Sequence, residues 1–268
     1  MRRRPRRATP WPAWAVSVLA AMFVLASPPL VAAGPGAATV AAWEAYVRAA
    51  EARIDLDTTP PRANMTTSAS ARDALARGDV LVEEVLLSDA AIDIPDGRVH
   101  HWRGRVFVPG ITLEHLVTAV RDPLHHKQED VIDARLLERT GDTDRVYLKI
   151  RRSSLVTAAF NTEHRVTYKA IDASTIRSRS VATKIAEIEG LGTPAEREKR
   201  PDEDRGFLWR MNAYWCYAAV PGGVMVTLDS MTLSRDVPWA IAPIASPIVD
   251  RVARESVVRT LRSLRARF

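Results

Sequence analysis

The sequence holds a single cysteine, Cys216. One thiol closes no internal disulfide, so the fold must stand on its core alone. The chain has no H-E-x-x-H, no G-x-S-x-G, no P-loop and no G-x-G-x-x-G. These absences remove the motif-bearing zinc peptidases, elbow-serine hydrolases and nucleotide enzymes, and no cofactor is expected. No acidic residue occurs before Glu44, although the formal charge of the whole chain is +6. Arg2, Arg3, Arg4, Arg6 and Arg7 supply five of those charges, so about +1 remains without them. The bulk electrostatic case for nucleic acid then disappears, and no nucleic-acid motif replaces it. Four of the six histidines come as the pairs His100-His101 and His125-His126. Neighbours on a strand point to opposite faces, so neither pair is read as a metal site.

What is present begins with an ordered N-terminus. The arginines are followed by an apolar run from Trp11 to Leu25, then by Ser27, Pro28, Pro29 and the small residues Ala32, Ala33 and Gly34. That is the order of a secretory signal, with Val31-Ala32-Ala33 as the cleavage site. The expectation is export to the periplasm or medium. The alternative is an N-terminal membrane anchor, for which the run is short against roughly 30 Å of hydrocarbon. Asn64-Met65-Thr66 fits a glycosylation sequon. The divisions expected are a signal peptide over 1–33, a linker with N-terminal helices over 34–78, and one domain over 79–268.

The apolar content, 47%, is globular. Val40, Trp43, Val47, Ala50 and Ile54 recur at helical steps, and Pro60-Pro61 ends that pattern. A short helix follows from Ser68 to Arg77, stopped by Gly78. Strand character starts at Val80–Leu87, and Asp96-Gly97 reads as a hairpin turn before a strand over Arg98–Val108. Thr112 caps a helix striped by Leu113, Leu116, Val117 and Val120, with Pro123 beyond its end. Further strands are read at Val131–Arg139, Arg145–Phe160, His164–Ile171 and Thr175–Ile188. Gly190–Arg205 reads as a long polar loop. Phe207–Ala219 and Val224–Leu233 form a hairpin through Pro221-Gly222-Gly223, with Phe207, Trp209, Met211, Ala213, Trp215 and Tyr217 on one face. Ile248, Val252, Ser256, Thr260 and Leu264 mark a long terminal helix whose polar side carries arginines. Strands grouped together with helices at the ends read as α+β.

A curved antiparallel sheet around one long C-terminal helix resembles the START-like, helix-grip superfamily over roughly Arg98 to Arg267. Several strings look like an exported bacterial subgroup of it: His100-His101-Trp102-Arg103-Gly104, Val108-Pro109-Gly110, Asn161-Thr162-Glu163-His164, Ser178-Arg179-Ser180, Phe207-Leu208-Trp209-Arg210, Ser234-Arg235-Asp236-Val237-Pro238 and Arg254-Glu255-Ser256. The resemblance implies a hydrophobic small molecule or lipid as partner. It brings no reaction, so it transfers no catalytic residue.

The residues placed to line such a cavity are His164, Arg179, Trp209, Asn212, Tyr214 and Trp215. Pockets of this kind are mostly apolar with a few placed polar groups. A cyclase- or hydrolase-like enzyme in the same cavity would need an acid or base, for which His164, Glu163 and Tyr214 are the candidates. An interaction module would instead use the loop Gly190–Arg205 or the arginine face of the last helix. Arg259, Arg262 and Arg265 on that face would suit an anionic membrane surface.

Overall fold

The computed structural model describes residues 34–56, 68–87, 93–122, 130–153, 157–201, 203–237 and 242–268, and the side chains of 56, 153 and 242–248 are not described. The export signal, the Pro60-Pro61 loop, the Asn64 sequon, Pro123 and His125-His126 lie outside these residues.

The helices are α1 (Ala37–Leu56), α2 (Ala69–Arg77), α3 (Leu113–Val120) and α4 (Ala242–Arg265). The strands are β1 (Leu81–Glu84), β2 (Gly97–Pro109), β3 (Val131–Thr140), β4 (Thr143–Ser153), β5 (Thr157–Asp172), β6 (Thr175–Glu189), β7 (Arg197–Glu198), β8 (Arg210–Val220) and β9 (Gly223–Arg235). They form one open antiparallel sheet in the order β1-β2-β9-β8-β6-β5-β4-β3, with β7 pairing β6. The last helix lies across β2, beside β1 and β9. This α+β arrangement is a helix grip.

The expected signals act where the sequence puts them. Ser68 accepts a hydrogen bond from the Ala71 N–H, and Gly78 closes α2 in the left-handed conformation. Thr112 accepts from the His115 N–H to start α3. Pro221-Gly222 turns β8 into β9, with φ +84° at Gly222. Proline first and a positive-φ glycine second is the type II pattern.

Five readings change. Asp96-Gly97 is not a hairpin centre. Gly97 N–H bonds to the Ile94 carbonyl, and only Asp96 takes positive φ. Pro95 fixes the first turn position, so the turn enters β2 rather than joining two strands. The strand read at Arg145–Phe160 is two strands, β4 and β5, whose join carries neither glycine nor proline to announce it. The polar string Asn161–Glu163, read as a break, lies inside β5. The long loop contains β7 and is tied down by Glu187, which accepts from Lys199 and from the Arg205 side chain and backbone. Trp209 precedes β8 and packs with Trp43, Tyr214 and Leu233, so the alternation of β8 does not reach back to it.

The two faces of the sheet carry separate cores. On the inner face, Val106, Val226 and Leu228 pack against Val257, Leu261 and Leu264 of α4 and Leu116 of α3. A Cβ at Gly104 would lie 2.5 Å from Leu261 and Val257, so glycine there lets the helix seat on β2. On the outer face, Trp43, Val47 and Ala50 of α1 pack on Met231, Leu233 and Tyr214. No helix among the described residues is long and apolar enough to cross a membrane.

Candidate ligand-binding site

Register decides which side chains share the inner face. His164 on β5 stands beside Val146 of β4 and Ala182 of β6, and Ser180 stands beside Ala213 of β8. Ser178 is beside Trp215, which is beside Leu228. The half of this face under α4 is shut: Val106, Val226 and Leu261 are fully buried. The other half is different. Trp102, Trp215, Val146, Leu148, Val166 and Ile185 all point inward yet keep partial exposure. Trp215 stacks on Tyr217, with ring centroids 6.0 Å apart.

His164 sits among these groups, 4% exposed. Its Nε2 lies 3.0 Å from the Thr162 hydroxyl and its Nδ1 lies 3.4 Å from the Ser180 hydroxyl. Thr162 donates its one proton to the Leu148 carbonyl. Its oxygen must therefore accept, which places the imidazole proton on Nε2 and leaves a lone pair on Nδ1 toward Ser180. Burial pushes the His164 pKa down to about 4. The site is thus a neutral acceptor–hydroxyl pair in an apolar setting, suited to an uncharged polar group. It is a poor base at neutral pH, because no carboxylate supports the ring.

The six residues nominated from sequence fall on two faces. His164 and Trp215 are inside. Arg179, Asn212 and Tyr214 are outside, beneath or beside α1. Tyr214 donates to Glu51 at 2.6 Å and accepts from Asn212 at 3.2 Å, and Arg179 Nε donates to the same Glu51 oxygen at 2.7 Å. Burial and the hydrogen bond to Glu51 raise the Tyr214 phenol. Trp209 belongs to the outer core. Of the three acid–base candidates, Glu163 also faces outward, against Arg145. The sheet therefore separates His164 from Glu163 and Tyr214.

The terminal arginines divide as well. Arg259 reaches Asp130, which also holds Arg152, and Arg265 donates to the Phe107 carbonyl. Arg251, Arg254 and Arg262 remain on the exposed side.

Three buried polar clusters escaped the sequence reading. Asp144 takes both Arg121 and Arg139. Burial pushes its carboxyl up, but those guanidinium bonds outweigh it and hold the pKa below the ordinary value. On the outer face, His101 bonds the Tyr46 hydroxyl at 3.0 Å and faces Asp229 at 3.4 Å. On the inner face, His100 bonds Asp250 and Ser234. The opposite directions of His100 and His101 were legible from strand alternation; their partners depend on register. Among the described residues, no group of three or more His, Cys, Asp or Glu could hold a metal.

No protein-family model and no curated protein matches the sequence. Solved structures do match in part. A Thermus thermophilus protein is 14% identical, over 62% of this chain and 94% of its own, with a TM-score of 0.44. A STAR-related lipid transfer protein from Xanthomonas axonopodis is 19% identical, over 67% of this chain and 98% of its own, at 0.41. The Zhui aromatase/cyclase from a Streptomyces species is 14% identical, over 63% and 92%, at 0.35.

Proposed function

We propose that the protein is an exported carrier of a hydrophobic, lipid-like ligand in the cell envelope, held on the open half of the sheet's inner face, beside α4. One observation carries this reading: apolar side chains of β4, β5, β6 and β8 point inward and stay partly uncovered. Trp215 and Leu148 are examples. Leaving such groups uncovered forgoes about 25 cal/mol per Å² of apolar area, which an apolar ligand would recover. His164 and Ser180 would meet an uncharged polar group of that ligand. A phosphate or carboxylate finds no cation in this pair. The carrier does no acid–base chemistry at His164, Glu163 or Tyr214, which share no site. Export rests on the order of residues 1–33, which leaves 34–78 as the segment leading into the domain over 79–268.

Gentle native mass spectrometry of the processed protein from its own envelope fraction tests the reading. A discrete adduct of lipid mass, extractable into organic solvent and reduced by Trp215→Ala, is expected. An apoprotein mass at every ionisation energy, with no lipid taken up from added extract, would count decisively against it.

A further inference from the structure

The start of β2, the end of β9 and α4 bring together four polar side chains that the carrier reading does not use. Arg98 and His100 lie on β2, Ser234 on β9 and Asp250 on α4. Arg98 and Ser234 are direct cross-strand partners. His100 Nδ1 lies 3.2 Å from Asp250 Oδ1, and His100 Nε2 lies 3.2 Å from Ser234 Oγ. Arg98 donates to the second Asp250 oxygen at 2.8 Å, which fixes the carboxylate. His100 is 5% exposed and Ser234 7%.

The proton positions follow from the carboxylate. Asp250 accepts from Nδ1–H, so the neutral imidazole presents its lone pair at Nε2 to the serine hydroxyl. Ser234 Oγ also donates to the Arg235 carbonyl at 3.2 Å, a bond it must give up for its single proton to pass to Nε2. His164 provides the contrast on the same face, since it has no carboxylate and spends Nε2–H on a threonine. Among the described histidines His100 is the one with a serine in the hydroxyl–imidazole–carboxylate order that activates it; His101, on the outer face, has the Tyr46 phenol in the hydroxyl's place.

The geometry points to a second capability: Ser234 is a nucleophile that cleaves carboxylic esters of hydrophobic acids or alcohols, with His100 as base and Asp250 orienting it. Ser234 Oγ attacks the ester carbonyl carbon and its proton passes to His100 Nε2. The carbon–oxygen bond to the alcohol then breaks, and Nε2 returns the proton to the leaving alkoxide. Water repeats the cycle on the acyl-serine, so ester and water give acid and alcohol. Arg98, the cross-strand partner of Ser234, places a cation beside the reacting group while it holds Asp250. The apolar setting comes from Trp102, two residues along β2 on the same face.

This goes beyond the carrier reading and does not depend on it, because a small probe reports on Ser234 whatever the resident ligand is. A fluorophosphonate is incubated with the full processed protein, followed by intact mass and peptide mapping. One adduct on Ser234 is expected, absent in Ser234→Ala and formed at least about 100-fold more slowly in Asp250→Asn. Wild-type protein left unmodified, or an adduct mapped elsewhere, overturns the proposal without reference to whether any variant folds. Equal labelling of Asp250→Asn and wild type would overturn the role of His100 and Asp250.

Discussion

The sheet is covered on its two faces by two helices that take up its polar side chains to different extents. On the inner face α4 is seated by Val257, Leu261 and Leu264, against a strand that gives way at Gly104. On the outer face α1 adds hydrogen bonds to its apolar seam: Glu51 takes Tyr214 and Arg179, Tyr46 meets His101, and Thr39 donates to the Pro95 carbonyl. The difference assigns the polar residues. Outside, strand arginines and phenols are consumed by a helix of the same chain. Inside, α4 takes Arg98 and His100 through Asp250, whereas His164, Thr162 and Ser180 pair among themselves beside apolar side chains that stay partly uncovered. A polar side chain on a strand therefore points to a ligand only once the helix opposite has been accounted for.

The largest expected effect separates the shut half of the inner face from the open half. Leu261→Ala removes a fully buried side chain and should cost about 3 kcal/mol. For a chain of this size that lowers Tm by roughly 6–12 °C, read by thermal melting. Trp215→Ala removes a larger side chain, but one that is partly exposed, and should cost less while reducing the lipid adduct. Equal losses of stability, with the adduct retained in Trp215→Ala, would erase the distinction and make the open half ordinary core.

The next effect concerns charge on that same face. The folded pKa of His164 is lowered to about 4 from 6.5 by burial. The unfolded chain thus binds the proton more readily. This contribution to stability is complete above pH 6.5 and is lost as pH falls through about 4. The full span is about 3 kcal/mol. His164→Gln should flatten the acid limb of the stability profile between those values, measured by urea unfolding at several pH values. An unchanged limb would mean that the ring protonates without penalty and is not buried as described. Asp144, held low by Arg121 and Arg139, loses its contribution as pH falls through its own depressed pKa, so some acid sensitivity persists in the variant.

Much of this architecture was legible because it depends on local chemistry. The caps Ser68 and Thr112, the Pro221-Gly222 turn and the four-residue spacing along α4 each act within a few residues. The element order then sufficed for the helix grip. The strand boundaries around Asn161–His164 were not legible, because a polar run inside a strand looks like a loop until both of its faces are known. The site was half legible for a similar reason. Alternation placed Trp215 opposite Tyr214 correctly, but it could not say that α1 would bring Glu51 to the Tyr214 side. His100, Ser234 and Asp250 were out of reach, since their meeting depends on the pairing of β2 with β9 and on where α4 crosses them. Each of those is a long-range fact that no spacing in the chain records.

The smallest expected effect bears on the four outer residues that the sequence placed in a cavity. Tyr214→Phe keeps the ring and removes one hydroxyl, which donates to Glu51 and accepts from Asn212. A hydrogen bond to a charged group contributes roughly 1.5–3 kcal/mol, but Glu51 keeps Arg179 and is partly exposed, so a net cost of about 1 kcal/mol is expected. Arg179→Ser should cost less still, because its side chain is 53% exposed. Neither variant should change the occupancy of the lipid adduct, since the sheet stands between them and the inner face. Native mass spectra of the two variants beside Trp215→Ala check this directly. Retained adducts in both would leave these residues as the seat of α1. Loss of the adduct in either, with melting unchanged, would move the ligand to the outer face and return Arg179 and Tyr214 to the role their sequence positions first suggested.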